Sequence, residues 1–353
     1  MQRIDKIRKK MNEQGIESVL VTSPYNLRYA TGFTGSTGIA IITQEAAYFI
    51  TDFRYTEQAT AECSEFTVVE HHSSMFEEAN KCLQTHQLKT LHYEADYVTV
   101  TLKQELVKSF GVNLEPVSGL FEALRMVKDA AEIEVVKQAI AISDNAFSAI
   151  LDFIRPGVTE QEVSNELLFN MMRQGATGAS FDTIVASGHR SAMPHGVASN
   201  KIIETGDFVT LDFGCYYNGY VSDMTRTIAV GEPSDKLREI YDVTLKANLA
   251  VIDQVRAGQT GIEIDKIARD VITAAGYGEA FGHSLGHGIG LEIHEGPNAS
   301  AKSPHVIEAG NIITDEPGIY LPGIGGVRIE DDILIKTDGI EVLTHSPKDL
   351  IIL

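Results

Sequence analysis

Apolar positions first recur at helical spacing, with Ile4, Ile7 and Met11 on one face before Gly15 ends the pattern. The period then shortens. Ser18 to Thr22, Ile39 to Thr43, Ala47 to Thr51, Phe66 to Glu70 and Thr90 to Glu94 are short runs with strand character, and helix-like stretches follow at 76–87 and 99–110. The stretch SPYNLRYATGFTGSTG between the first two runs reads as turns. This alternation predicts a small α/β domain over residues 1–122 and a second domain over 123–353.

The second domain opens on a longer stripe. Ile133, Val136, Ile140, Phe147 and Ile150 share a face, Asp129 with Glu132 forms a capping box, and Pro156-Gly157 closes the pattern, predicting a helix from Asp129 to Ile154. A duplication follows. RPGVTEQEVSNELLFNMMRQG and RAGQTGIEIDKIARDVITAAG begin 101 residues apart, at Arg155 and Arg256, and each has a capping box (Thr159 with Glu162, Thr260 with Glu263) and a closing glycine (Gly175, Gly276). Downstream, IETGDFVTLDFG aligns with IEAGNIITDEPG at an offset of 104 residues, which sets Asp212 on Glu316. Each is followed by a turn and a second acidic strand, bearing Asp223 in the first copy and Glu330 in the second.

Strand parity decides whether these carboxylates meet. If Asn218-Gly219 is a two-residue turn, Asp212 faces Thr225 across the ladder and lies diagonal to Asp223 on one face. Four carboxylates brought together by a two-fold repeat need more than a proton to offset their repulsion, and a divalent metal is the simplest answer.

Composition narrows the partners. The net charge of −20 disfavours nucleic acid and anionic membrane surfaces, while 43% hydrophobic and 22% charged residues suit a folded globular chain. Three cysteines, Cys63, Cys82 and Cys215, lack ligand-like spacing and fit a reducing compartment, with the cytoplasm as the expected location. The charged opening MQRIDKIRKKMNEQG has no signal-peptide core, and no run approaches the ~18 apolar residues of a membrane span.

Histidines complete the pattern in GHSLGHGIGLEIHEGPN, where His283, His287 and His294 stand among glycines. Ser284 replaces the glutamate that an HExxH zinc motif requires, and Gly286 and Gly288 disfavour a helix there. The glycines suggest backbone packed closely against something. A lone histidine such as His71, His72, His86, His92 or His305 is more often surface or packing, and none of these is assigned a role.

On these residues the sequence resembles the pita-bread metallopeptidases of the creatinase and methionine aminopeptidase superfamily, above all the Xaa-Pro dipeptidases (prolidases) and Xaa-Pro aminopeptidases. NLRYATGFTGS with ITDFRY resembles the creatinase-type N-terminal domain, and RMVKDAAEIEVVKQA the entry to the pita-bread domain. The resemblance implies an α/β (α+β) fold: a small N-terminal domain and a pseudo-two-fold catalytic one. It implies five ligands for two divalent ions, Asp212, Asp223, His287, Glu316 and Glu330, and the duplication makes the symmetry mates Asp212 and Glu316 the expected terminal ligands, with Asp223 and Glu330 bridging. Oxygen-rich ligands with one imidazole suit Mn²⁺ or Co²⁺, with Zn²⁺ or Fe²⁺ also compatible.

The same resemblance implies catalytic roles for His195, His294 and Glu316, and substrate contacts from His283, Tyr320 and Arg328. Asp315 and Thr314 are a small departure, since an apolar residue is common ahead of the glutamate. The expected activity is hydrolysis of small peptides with proline at the second position, by a homodimer, with dipeptides preferred. An aminopeptidase acting on longer Xaa-Pro peptides is the alternative, and a non-catalytic binding module is disfavoured because all five ligand positions are filled.

Overall fold

The structure, a computed structural model, describes residues 2–353. The chain forms two compact units, the first ending at Arg125 and the second running Met126–Leu353.

The first unit is built on a six-stranded mixed sheet in the order β4-β3-β2-β1-β5-β6, made of β1 (Ser18–Val21), β2 (Ile39–Thr43), β3 (Ala47–Thr51), β4 (Thr67–Glu70), β5 (Thr90–Glu94) and β6 (Asn113–Val117). Its helices are α1 (Arg3–Glu13), α2 (Pro24–Thr31), α3 (Thr56–Glu62), α4 (Met75–Gln84), α5 (Val100–Ser109) and α6 (Leu120–Met126). Leu20, Ile41, Ile50, Leu83, Leu91 and Leu106 join in one core. The stretch expected as turns contains α2. Ser23 Oγ accepts the Asn26 N–H, Pro24 occupies the first turn, and Gly32 closes the helix at φ 79°, so start and stop signals bracket eight residues that bury Leu27 and Tyr29. β6 escapes the sequence pattern because it is an edge strand with a proline and no buried side chain.

In the second unit α7 (Ala130–Ile150) starts on the expected Asp129/Glu132 capping box and ends four residues earlier than the sequence predicts. The duplication is visible in the backbone. α8 (Glu160–Arg173) and α10 (Gly261–Ala274) both begin on Thr/Glu capping boxes, and each Thr forms an antiparallel bridge, Thr159 with Ile202 and Thr260 with Val306. Gly206 and Gly310 both adopt φ 95°, a left-handed geometry that glycine takes without a Cβ penalty. A further long helix, α9 (Asp235–Gln254), precedes α10 as α7 precedes α8.

The strands of this unit are β7 (Gly178–Ala179), β8 (Ile184–Ser187), β9 (Phe208–Phe213), β10 (Cys215–Tyr217), β11 (Tyr220–Val221), β12 (Met224–Ala229), β13 (Gly286–Gly288), β14 (Glu295–Ala299), β15 (Ile312–Asp315), β16 (Gly318–Leu321), β17 (Gly325–Arg328), β18 (Asp331–Lys336) and β19 (Gly339–Val342). They form sheets β12-β9-β8 and β14-β13-β15-β18-β19, with smaller sheets β11-β10-β7 and β16-β17. Alternation along β9 sorts its side chains. Val209, Leu211 and Phe213 pack in a core with Ala139 and Phe147 of α7 and Leu167 of α8, leaving Thr210 and Asp212 on the opposite face. Likewise Ile313 of β15 and Ile333 and Ile335 of β18 pack with Ile240 and Val251 of α9, so Thr314 and Asp332, which are register partners, share the other face.

A candidate dinuclear metal site

The hairpin register expected from Asn218-Gly219 is present. Tyr217 pairs with Tyr220 at the turn, and Asp212 pairs with Thr225 further along. Asp223 lies in the break between β11 and β12, where its N–H donates to Asp332 Oδ2 at 3.2 Å. The second hairpin keeps one register on both sides of its own break: Asp315 faces Asp331 and Gly318 faces Arg328. Continuing that register across the break sets Glu316 opposite Glu330. Glu330 and Arg328, expected on one strand face, are separated by the interruption between β17 and β18, yet both line the same cavity.

His287 enters from β13, wedged between β14 and β15. A Cβ on Gly286 would stand 2.0 Å from the Thr314 carbonyl oxygen, and one on Gly288 would stand 2.3 Å from that of Gly296, so the glycines around His287 permit the close backbone approach that their density suggested. His287 Nδ1 lies 3.1 Å from the Gly288 carbonyl oxygen, which can only accept, so Nδ1 carries the proton and Nε2 presents a lone pair. That lone pair faces Glu316 Oε1 at 3.5 Å and Asp223 Oδ2 at 3.7 Å.

A cavity of about 400 Å³ opens onto this group, lined by all five expected ligand residues together with His195, His283, His294 and Arg328. Ligand atoms of Asp223, His287 and Glu330 lie within 4.8 Å of one another. Asp212 instead receives Arg328 Nη2 at 2.5 Å, and its Oδ1 is buried without a partner. Burial, then Glu330 and Asp212, push the Asp223 carboxyl well above the carboxylate range, and burial with Glu316 and Asp212 does the same to Glu330. Glu316 is raised to about 7, chiefly by burial, and burial lowers His287 to about 4.

Residues 134–337 match the model of metallopeptidase family M24, and residues 3–127 match that of the creatinase/prolidase N-terminal domain. The chain belongs to metallopeptidase family M24. Among its relatives of known structure, a Xaa-Pro dipeptidase from Bacillus anthracis is 53% identical, with TM-score 0.98 and 99% of each chain covered. An X-Pro aminopeptidase from Thermotoga maritima is 40% identical, with TM-score 0.93, 98% of this chain and 100% of the other covered. A Xaa-Pro dipeptidase from Pyrococcus furiosus is 41% identical over 99% of both chains.

Membership of M24 implies divalent metal, and the residues present fit it. A neutral imidazole lone pair and two carboxylate oxygens directed at one another repel without a cation between them, and the orphaned Asp212 oxygen lacks any other partner. Two threonines orient the acids of this M24 site: Thr225 Oγ1 donates to Glu330 Oε2 at 2.5 Å and Thr314 Oγ1 to Glu316 Oε1 at 3.0 Å.

The remaining expected residues separate. His195 and His294 are exposed at the cavity wall, with the His294 ring 4.4 Å from that of His287 between centroids. Tyr320 does not line the cavity, although a substrate contact is expected of it. Its hydroxyl accepts from Arg328 Nη1 and donates to His283 Nε2, both at 2.8 Å. His283 Nδ1 in turn donates to the Ser284 carbonyl at 2.8 Å, so its proton is fixed, and burial with the Arg328 charge lowers its pKa to about 4. His283, Tyr320 and Arg328 form one chain of hydrogen bonds that ends on Asp212.

Asp332 was missed. It is fully buried on the site face, with Oδ1 unpartnered and its pKa raised well above the carboxylate range, first by burial. Parity within IEDDILI carries the signal, because it puts Asp332 on the same face as Glu330.

Proposed function

We propose that this M24 peptidase hydrolyses Xaa-Pro bonds in small peptides, most of all dipeptides, using two divalent ions held by Asp212, Asp223, His287, Glu316 and Glu330. The observation that carries this reading is the convergence of the His287 Nε2 lone pair with buried carboxylate oxygens in one cavity. Mn²⁺ or Co²⁺ suit this donor set best, with Zn²⁺ or Fe²⁺ compatible. Divalent ions held there supply Lewis-acid polarisation of the scissile carbonyl and acidify a water.

The protein's own groups handle the protons. Glu316, whose Oε1 is held by Thr314 and faces His287 Nε2 in the cavity, is the group placed to take a proton from the attacking water. A Xaa-Pro bond has no N–H, so the departing proline nitrogen must gain a proton, and His195 and His294 at the cavity wall are the groups that carry it or steady the oxyanion. Arg328, held between Tyr320 and Asp212, fixes the Asp212 carboxylate.

Relatives named for a dipeptidase and for an aminopeptidase both align over nearly the full chain, and a comparison of substrates separates the two activities. With Mn²⁺ present, Ala-Pro should be cleaved with a higher kcat/KM than Ala-Pro-Pro. The reverse order would assign the aminopeptidase activity. A homodimer is the expected assembly, and sedimentation finding only monomer at micromolar concentration would contradict it. The buried, unpaired Cys63, Cys82 and Cys215 support a cytoplasmic location.

Metal binding should also be coupled to pH through stability. A carboxyl whose folded pKa is raised stabilises the fold below its unfolded value and loses that contribution as pH rises through the folded one, a window of about 4.5 to about 7 for Glu316. His283 and His287, lowered to about 4, act in the opposite sense between about 4 and 6.5, where only the unfolded chain takes up their protons. Asp212, Asp223, Glu316 and Glu330 outnumber them. Metal-free protein should therefore melt at a higher temperature near about pH 5.5 than near about pH 7.5, and saturating Mn²⁺ should raise Tm more at the higher pH. Calorimetry showing the larger Mn²⁺ shift at the lower pH would contradict the carboxylate assignment.

A further inference from the structure

α8 begins at Glu160, and its capping box is made entirely by Thr159 and Glu162, so Glu160 has no duty at the helix start. Its carboxylate is fully buried, which is costly unless every lone pair is used. All its partners lie in one segment. It accepts from Ser187 N at 2.7 Å and Oγ at 2.9 Å, and from Ser199 N at 3.1 Å and Oγ at 2.6 Å, and it pairs with the Arg190 guanidinium. Arg190 also donates to the Val197 carbonyl at 3.0 Å. A single carboxylate thus closes residues 187–199 at both ends, and His195 stands within that segment.

Next to His195, the Val197 N–H donates to the His195 carbonyl at 2.9 Å and Val197 bridges Ile184, so the backbone is seated but the ring is not. Among the described residues no hydrogen bond reaches its nitrogens, so its position follows from the backbone that carries it. Ser191 Oγ accepts the Gly326 N–H at 2.9 Å and the Pro194 carbonyl accepts Arg328 Nη1 at 3.2 Å, which seats the middle of the segment beside the cavity. The duplication gives an internal control. The counterpart of Glu160 is Gly261, where the same capping box forms without a side chain and a Cβ would stand 2.0 Å from the Asn298 carbonyl oxygen. The helix start does not require a carboxylate; only the half that bears His195 has one.

We propose that Glu160 is a positioning residue that holds His195 at the cavity and so sets the rate without touching substrate or metal. The proposal rests on the proton-carrying role given to His195 above. Glu160→Gln keeps the size and removes the charge facing Arg190. In the full-length Mn²⁺-loaded protein, kcat on Ala-Pro should fall by about 10-fold or more, KM should change by less than about 2-fold, and metal content should be unchanged. In a His195→Ala background the same substitution should cost less than about 2-fold, because residues acting through one group are not additive. Amide hydrogen exchange across residues 188–197 should quicken, with that of β9 and β12 unaltered. Ser199→Ala, which removes one donor and leaves α8 intact, should act in the same direction with a smaller effect, and it carries the comparison if Glu160→Gln does not fold. Equal losses in both backgrounds, loss of metal, or unchanged exchange would overturn the proposal. If the wild-type chain cleaves no Xaa-Pro peptide, the substrate reading fails, and the exchange comparison alone decides whether Glu160 holds the segment.

Discussion

Asp223→Asn is expected to remove metal and activity together. Asp223 is buried beside Glu330 and His287, and its own N–H is tied to Asp332, so the side chain cannot easily turn away. An amide of the same shape is neutral and offers only one oxygen, so it cannot span two cations as a carboxylate does. Without a cation the substitution also relieves like-charge repulsion, because Glu330, Asp212, Asp332 and Glu316 all act to raise the Asp223 pKa. The variant should therefore fold at least as well as metal-free wild type while losing on the order of 10³-fold or more in rate, the scale of losing an acidified water. Elemental analysis alongside rates on Ala-Pro checks this. Two ions retained at full rate would remove the bridging role.

His195→Ala is expected to separate chemistry from metal holding. His195 is exposed at the cavity wall and its ring makes no hydrogen bond among the described residues, so its loss should leave Asp212, Asp223, His287, Glu316 and Glu330 where they are. Metal content should persist while kcat falls by about 10²-fold or more, as for a lost acid–base or oxyanion-stabilising group. Metal lost as completely as in Asp223→Asn would make His195 a ligand or a structural residue.

The sequence carried the repeat and the first hairpin well, for a physical reason. Capping boxes and glycines at Gly175 and Gly276 are local signals, and once the turn at Asn218-Gly219 is set, period-2 alternation fixes Asp212 opposite Thr225 without further tertiary information. Legibility ended where chain order and spatial neighbourhood part. The Tyr320 hydroxyl is taken up by His283 and Arg328, which line the cavity in its place, and no spacing along the chain records that choice. Glu160 lies 35 residues before His195 and reads in sequence as one more acid in a first helical turn. Asp332 was within reach of the same parity argument that found Asp212, but it stood in a run of three acids, all buried, of which Asp331 pairs with Arg226 instead of facing the site.

The most direct measurement of the account is a parallel titration of chelator-stripped protein with Mn²⁺, following bound metal by elemental analysis and Ala-Pro hydrolysis in the same samples. The account predicts a negligible rate without metal and a rate that rises with bound Mn²⁺ until two ions are held per chain. Full turnover by protein that elemental analysis shows to be metal-free would contradict it.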